Sequence, residues 1–178
     1  MRSLFHDFYV QPMNIVYIET IAMYVIWTVA MLLLRGKAKR IVSIAGLCMA
    51  AALVIAFTIL GRKSGNTRDI SLIPFISFVN AKVQPEFYRT MYMNMLLFMP
   101  LGLSMPFALP NKCKHKALLT ILIGAILSIA VEACQYLFSL GRCETDDVIM
   151  NTIGVAIGVT SFLIFQFFVH IQQRHCNN

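Results

Sequence analysis

Acidic and amide side chains recur at helical spacing within a long apolar stretch in the C-terminal half of the sequence. Four residues of this stretch fall within about 80° of one another on a helix: Gly124, Ser128, Glu132 and Gln135. The small residues allow a neighbouring helix to approach closely, which predicts that Glu132 faces the protein interior. Because an ionisable side chain in apolar surroundings is costly, Glu132 is the first candidate functional residue.

A second apolar stretch repeats the pattern with its polar residues at the other end. Its aligned residues fall within about 60° of one another: Asp147, Asn151, Gly154 and Gly158. Gly154 and Gly158 form a GxxxG pair, which is typical of a helix-packing face. Carboxylates together with amides can bind hydroxyls, amides or amines, whereas arginine side chains can bind phosphates.

These patterns predict one ligand-binding site. Its candidate residues are Glu132, Gln135, Arg142, Asp146, Asp147, Asn151, Asn94 and Arg68. We expect a pocket floored by Glu132 and rimmed by Asp146, Asp147 and Arg142. Arg142 is the expected counter-charge of Glu132, with Arg68 or Arg89 as alternatives. A polar network that only pins two helices together, without binding a ligand, is the competing interpretation.

The composition indicates which elements must position these residues. Of the 178 residues, 58% are hydrophobic and only 13% are charged, whereas a soluble domain has about 25% charged residues. The sequence therefore predicts an all-α integral membrane protein with a single domain over residues 1–178. Five apolar stretches approach the ~20 residues that a membrane-spanning helix needs. They cover about 14–34, 41–61, 90–109, 117–140 and 148–169, with a long loop at 62–89.

Basic residues in the short loops predict the orientation of the spans. Loops 35–40 and 112–116 are rich in lysine and arginine, which favours the cytoplasmic side. The N-terminus is then expected outside and the C-terminus in the cytoplasm, and the candidate site lies in the outer third of the bundle. The net charge of +7 is explained by this topology and by contact with lipid phosphates. No basic helix interleaved with aromatic residues favours a nucleic-acid partner.

Two further features concern the outer side of the bundle. Residues 70–79 form an apolar decamer that is too short to cross a membrane, and Pro74 interrupts any continuous helix there. We expect this segment to form an apolar outer cap over the bundle; a loop that is apolar by chance is the alternative. Glu19, one or two turns into the first span, either extends to the interface or pairs with a partner.

Several motifs in combination resemble the VanZ-like family of bacterial membrane proteins. They are residues 94–102, 132–135, 141–142 and 146–154, preceded by Ile73-Pro74-Phe75. The resemblance covers about residues 68–158. It implies a cell-envelope protein that lowers susceptibility to teicoplanin-type lipoglycopeptide antibiotics, or a relative acting on another envelope amphiphile. The implied partners are membrane lipids, a lipid-linked cell-wall precursor or a glycopeptide antibiotic.

The sequence leaves three mechanisms open, of which binding or modulation of an envelope amphiphile is favoured. An intramembrane enzyme acting on a lipid phosphate or glycolipid would use Glu132 with an aspartate as base and acid, or as Mg²⁺ ligands. Against it, no histidine is expected in the outer cluster, and Met150 stands where a DDxxD motif needs a third acid. A small transporter subunit would account for Pro100 and Gly102 in the third span. No cofactor and no resident metal are expected.

Overall fold

The computed structural model describes residues 11–62, 69–84 and 86–176. Its elements in chain order are α1 (Met13–Leu33), α2 (Gly36–Ile55), β1 (Ile70–Ser71), α3 (Ile76–Ala81), α4 (Glu86–Ala108), α5 (Lys116–Leu137), β2 (Cys143–Glu144) and α6 (Thr145–Cys176). A π-helical turn, Ala56–Leu60, extends α2. Arg68, one of the predicted site residues, lies outside the described residues.

Five helices of the described chain are long and apolar enough to cross a membrane: α1, α2 with its extension, α4, α5 and α6. The prediction of an all-α membrane protein with five spans is confirmed. The helix ends differ from the predicted spans because hydrophobicity marks the hydrocarbon layer, whereas helical hydrogen bonding continues beyond it. Thus α2 already includes Lys37, and α6 begins at Thr145, so that Asp146 and Asp147 occupy its first turn.

The centre of the bundle is the contact between α4 and α6. A Cβ atom at Gly154 would overlap the carbonyl oxygen of Met95, and one at Gly158 would overlap that of Met99. The two backbones therefore touch where these glycines lie, and α4 is the partner of the predicted GxxxG face. We call this contact the glycine seam.

The predicted polar stripe of α5 is buried against α6. A Cβ atom at Gly124 would press on the side chain of Val155, and Asn151 donates from Nδ2 to the Ser128 hydroxyl at 2.8 Å. Helix α1 lies at the periphery, where Trp27 Nε1 donates to the carbonyl of Leu103 at 2.9 Å. Glu19 is exposed on α1.

One end of the bundle, where α2 and α5 end and α4 and α6 begin, is here called the cap end. The cap segment, residues 70–81, folds onto it through β1 and α3. Strand β1 pairs in parallel with β2, with Ile70 opposite Cys143 and Ser71 opposite Glu144. Beyond β1, the side chains of Leu72 and Ile73 point away from the bundle, being 72% and 65% exposed. Exposed apolar side chains at this position agree with the predicted apolar cap.

Candidate functional site

Asp146 holds the cap segment in place. Its carboxylate accepts hydrogen bonds from the backbone N–H of Phe75 and, at 2.7 Å, of Ser77. Phe75 has a left-handed backbone with φ of 64°, which follows Pro74 and turns the chain into α3. Asp146 is buried and is not among the residues that line the pocket described below.

Glu132 is buried beneath β2 and fastens it from below. Its Oε2 accepts a hydrogen bond from the backbone N–H of Glu144 at 3.1 Å. The prediction that Arg142 neutralises Glu132 was wrong, because Arg142 pairs with Asp69 at 3.1 Å and with Glu144 at 3.6 Å. Those contacts hold the guanidinium on the exposed side of the two-stranded sheet.

Within the part of the chain that the structure describes, the cation that interacts with Glu132 is Arg62, which the sequence reasoning missed. Its guanidinium interacts electrostatically with both Glu132 and Asp147. It passes over Gly141, where a Cβ atom would overlap Nη1, so Gly141 leaves room for the arginine. The available signal was the position of Arg62 directly after the second span, at the same end as Glu132.

The three predicted amides lie close to these carboxylates but bind different partners. Gln135 donates to the carbonyl of Thr58 at 3.3 Å, which ties α5 to the extension of α2. Asn94 faces the carboxylate of Asp147. Among the described atoms, Asn94 Nδ2 and Gln135 Oε1 are buried without a well-formed hydrogen bond. Buried polar atoms in this condition are uncommon and point to a missing partner such as water or a ligand.

A polar pocket of about 420 Å³ opens at the cap end. It is lined by Arg62, Ser77, Phe87, Thr90, Met91, Gly141, Arg142, Glu144 and Asp147. The predicted rim residues Asp147 and Arg142 are therefore present, while Glu132, Gln135 and Asn151 are buried among the helices rather than in the lining. Glu144, to which no role was assigned from the sequence, also lines the pocket.

A second cavity of about 440 Å³ lies between α1, α2 and α4. Its lining is mostly aliphatic and aromatic, and Arg62, Asn94, Glu19, Thr20 and Thr58 supply its polar groups. We call it the apolar cavity. Arg62 lines both spaces. Asn94, in the apolar cavity, faces Asp147, in the polar pocket.

Comparison with known proteins places this site in a family. The profile described as VanZ/LLP1 matches residues 41–166. The chain belongs to the VanZ/LLP1 family. It is 28% identical over 105 residues to Protein VanZ of Enterococcus faecium, and the match covers 59% of this chain and 59% of that relative. No solved structure matches the chain.

The VanZ/LLP1 match contains every residue that lines the polar pocket. It also contains both carboxylates that fasten the cap end, Glu132 and Asp146. Helix α1 lies before the matched region, so one wall of the apolar cavity, formed by Val16, Glu19, Thr20 and Met23, belongs to the part of this chain that the family profile does not cover.

Among the described residues, four carboxylates surround the two arginines that line the polar pocket. Each lining arginine already faces two of them: Arg62 faces Glu132 and Asp147, and Arg142 faces Asp69 and Glu144. In the loop outside the spans, burial raises the pKa of the Cys143 thiol, and the carboxylates of Glu132, Asp147 and Glu144 raise it further. The pocket therefore favours a cationic or hydroxyl-bearing group over an additional anion.

Within the described residues, no three histidine, cysteine or acidic side chains are grouped as metal ligands. His115 precedes the first residue of α5, whereas Glu132 lies in its last turns. At about 1.5 Å per residue, the two are separated by about 25 Å along the helix. The side chains that lie beside the carboxylates of the cap end are arginines and amides.

Proposed function

We propose that this protein of the VanZ/LLP1 family lowers susceptibility to teicoplanin-type lipoglycopeptides by binding or modulating an envelope lipid or lipid-linked cell-wall precursor in the polar pocket. The observation that carries the proposal is the pocket itself. It places arginine and carboxylate side chains side by side at the ends of membrane-spanning helices, beneath a segment with apolar side chains directed outward. Such a pocket suits the headgroup of a molecule that already resides in the membrane.

The cap end faces the outside of the cell in this proposal. The opposite end carries the basic residues of the 35–40 and 112–116 segments, and such residues favour the cytoplasmic side. An impermeant maleimide added to intact cells should label a cysteine placed at position 73 and leave one at position 38 unlabelled. The reverse pattern would place the pocket on the cytoplasmic side, where an extracellular antibiotic has no access to it.

Drug susceptibility tests the function directly. Cells that produce the chain should tolerate more teicoplanin than cells with an empty vector. Asp147→Asn, which removes charge from the pocket with little change in shape, should reduce this protection. Glu86→Gln is the matched control, because Glu86 is exposed and lies outside the pocket lining.

Protein abundance in the membrane is measured for each strain. If the unaltered chain accumulates and the minimum inhibitory concentration of teicoplanin equals that of the vector strain, the resistance role is wrong. If Asp147→Asn accumulates and protects fully, the polar pocket is not the site of action.

A further inference from the structure

The apolar cavity has the form of a slot for a hydrocarbon chain. Three helices line it and leave one side open, and its lining includes Leu53, Phe57, Leu96, Leu97 and Pro100. Its volume of about 440 Å³ lies in the lower part of the ~300–1,000 Å³ range of small-molecule sites. Since apolar side chains line most of it, the group that fills it best is apolar.

Polar groups in the cavity come from Arg62 and Asn94 at the side that adjoins the polar pocket. Asn94 is buried, with a relative exposure of 9%. Its Nδ2 amide forms only a poorly aligned hydrogen bond with the Asp147 carboxylate, which leaves an N–H for another acceptor. The guanidinium of Arg62 presents several N–H donors and can hold an anion in addition to a carboxylate. Both residues therefore offer donors to a group located between the two spaces.

The chemical character of the site thus changes in a fixed order. An apolar cavity comes first, then the donors of Arg62 and Asn94, and then the carboxylates of Asp147 and Glu144 in the polar pocket. A phosphate attached to a hydrocarbon chain matches the first two steps. A group beyond the phosphate must suit the carboxylates described above, and a primary amine does so.

We propose that the apolar cavity and the polar pocket together bind one membrane phospholipid whose phosphate carries an amine-bearing headgroup, as in a phosphoethanolamine lipid. One hydrocarbon chain occupies the apolar cavity between α1, α2 and α4. Arg62 and Asn94 bind the phosphate, and Asp147 and Glu144 bind the amine. This inference deepens the proposed function and rests on its pocket, since it names the class of lipid bound there.

Glu19 is the acidic residue among those that line the apolar cavity. Glu19 is exposed, whereas Asn94 is buried. Arg62 shares its charge with Glu132 and Asp147, so a phosphate between the two spaces is bound by the guanidinium N–H groups that those carboxylates leave free.

Binding to the purified full-length chain in neutral detergent tests the proposal. The probes are three single-chain amphiphiles with the same 16-carbon acyl chain: lysophosphatidylethanolamine, lysophosphatidylglycerol and a maltose ester. Native mass spectrometry counts bound probe per chain over a concentration series. We expect the ethanolamine lipid to bind about tenfold or more tightly than the glycerol lipid, and the maltose ester to bind most weakly.

Two protein variants test which residues bind the phosphate and which bind the amine. Arg62→Gln should lower the affinity for both phosphate lipids to about that for the maltose ester. Arg40→Gln, at the opposite end of α2, should leave all three affinities unchanged. Asp147→Asn should bring the ethanolamine lipid down to the affinity of the glycerol lipid. A purely structural role of Asp147 would weaken both lipids equally and preserve the preference.

A cavity variant examines the hydrocarbon chain. Leu96→Trp should fill the apolar cavity and lower the affinity for the 16-carbon ethanolamine lipid more than for its 8-carbon analogue. Leu122→Trp on the exposed surface of α5 is the control. In the unaltered chain, equal affinity for the ethanolamine and glycerol lipids, or for the 16- and 8-carbon chains, would overturn the proposal. Neither result depends on drug susceptibility. The lipid assignment can therefore fail while the resistance role stands, and the resistance role can fail while the lipid assignment stands.

Discussion

The glycine seam and the cap end are held together by different forces. At the seam, α4 and α6 approach until the backbone carbonyls of Met95 and Met99 touch Gly154 and Gly158. At the cap end, the contacts are hydrogen bonds from backbone N–H groups to the buried carboxylates of Glu132 and Asp146. The glycine seam is a close contact between uncharged backbones. At the cap end, carboxylates accept hydrogen bonds from backbone N–H groups.

The difference follows from the surroundings of each region. In hydrocarbon, lipid tails are as apolar as the side chains, so helices associate through close van der Waals contact rather than through a hydrophobic driving force. At the membrane interface the chain leaves its helices and exposes backbone donors, each of which needs an acceptor. The seam therefore depends on the absence of side-chain atoms, and the cap end depends on the presence of two carboxylates.

The strongest disruption should come from a side chain added to the seam. Gly154→Val places Cβ against the carbonyl oxygen of Met95, which belongs to the backbone and cannot rotate away. We expect a loss of stability of more than about 3 kcal/mol. It would be measured as unfolding at a lower SDS fraction in mixed micelles and as reduced membrane abundance. The control Ala130→Val, on the exposed face of α5, should be as stable as the unaltered chain. If Gly154→Val were equally stable, the helices would not be in contact at this glycine.

Removing the Asp146 carboxylate should release the cap segment while leaving the seam intact. Asp146→Asn replaces one acceptor oxygen by an amide donor that faces a backbone N–H, which costs about 1–3 kcal/mol. Amide hydrogen exchange should therefore accelerate at Phe75 and Ser77 and stay slow in the middle of α6. Asp69→Asn breaks only the exposed ion pair with Arg142 and should cost at most about 1 kcal/mol. Equal exchange in both variants would argue against the two hydrogen bonds.

A smaller change is expected at Glu132, where one backbone donor is involved. Glu132→Gln keeps a carbonyl oxygen for the Glu144 N–H and should be nearly silent in SDS unfolding. Glu132→Ala leaves that donor unsatisfied and should cost about 1–2 kcal/mol. Teicoplanin susceptibility separates structure from function: if the charge is needed, both variants lose protection although the Gln variant is stable. A fully stable and active Ala variant would contradict both roles.

The smallest effect should be found at Cys143, whose thiol reports the potential at the cap end. Because burial and nearby carboxylates raise its pKa, less thiolate is present at a given pH, and the thiolate is the reactive form. In a chain whose other cysteines are serine, maleimide labelling of the folded protein should rise at higher pH than labelling after unfolding in SDS. Asp147→Asn should move the folded profile toward lower pH. An unchanged profile would mean that the carboxylate does not act on the thiol.

Periodicity allowed the seam and the buried stripe to be predicted because both depend on residues of a single helix. The spacing of Gly154 and Gly158, and that of Ser128 and Glu132, shows which face is buried without knowledge of the partner. The profile of hydrophobicity likewise predicted the five spans, although it placed the start of α6 three residues too late, at 148 rather than Thr145.

The contacts of the cap end could not be predicted in this way. Asp146 and Glu132 accept hydrogen bonds from backbone N–H groups, and every residue except proline carries such a group, so the partners leave no pattern in the sequence. The position of Arg62 depends on the π-helical turn before it and on the space above Gly141. Arg142 was predicted to pair with Glu132 because the two residues are near each other in the sequence. It pairs instead with Asp69, which directly precedes β1.

The parallel pairing of β1 with β2 also sets an order of assembly during synthesis. Phe75 and its acceptor Asp146 are 71 residues apart in the chain, and α4 and α5 are made between them. At about 5–20 residues per second, a ribosome takes roughly 4–14 s to cover that interval. Throughout this time the amide of Phe75 lacks its carboxylate, while the apolar side chains of Leu72 and Ile73 can already settle at the membrane surface. Helix α6 therefore supplies the acceptor for a cap segment that was synthesised before α4 and α5.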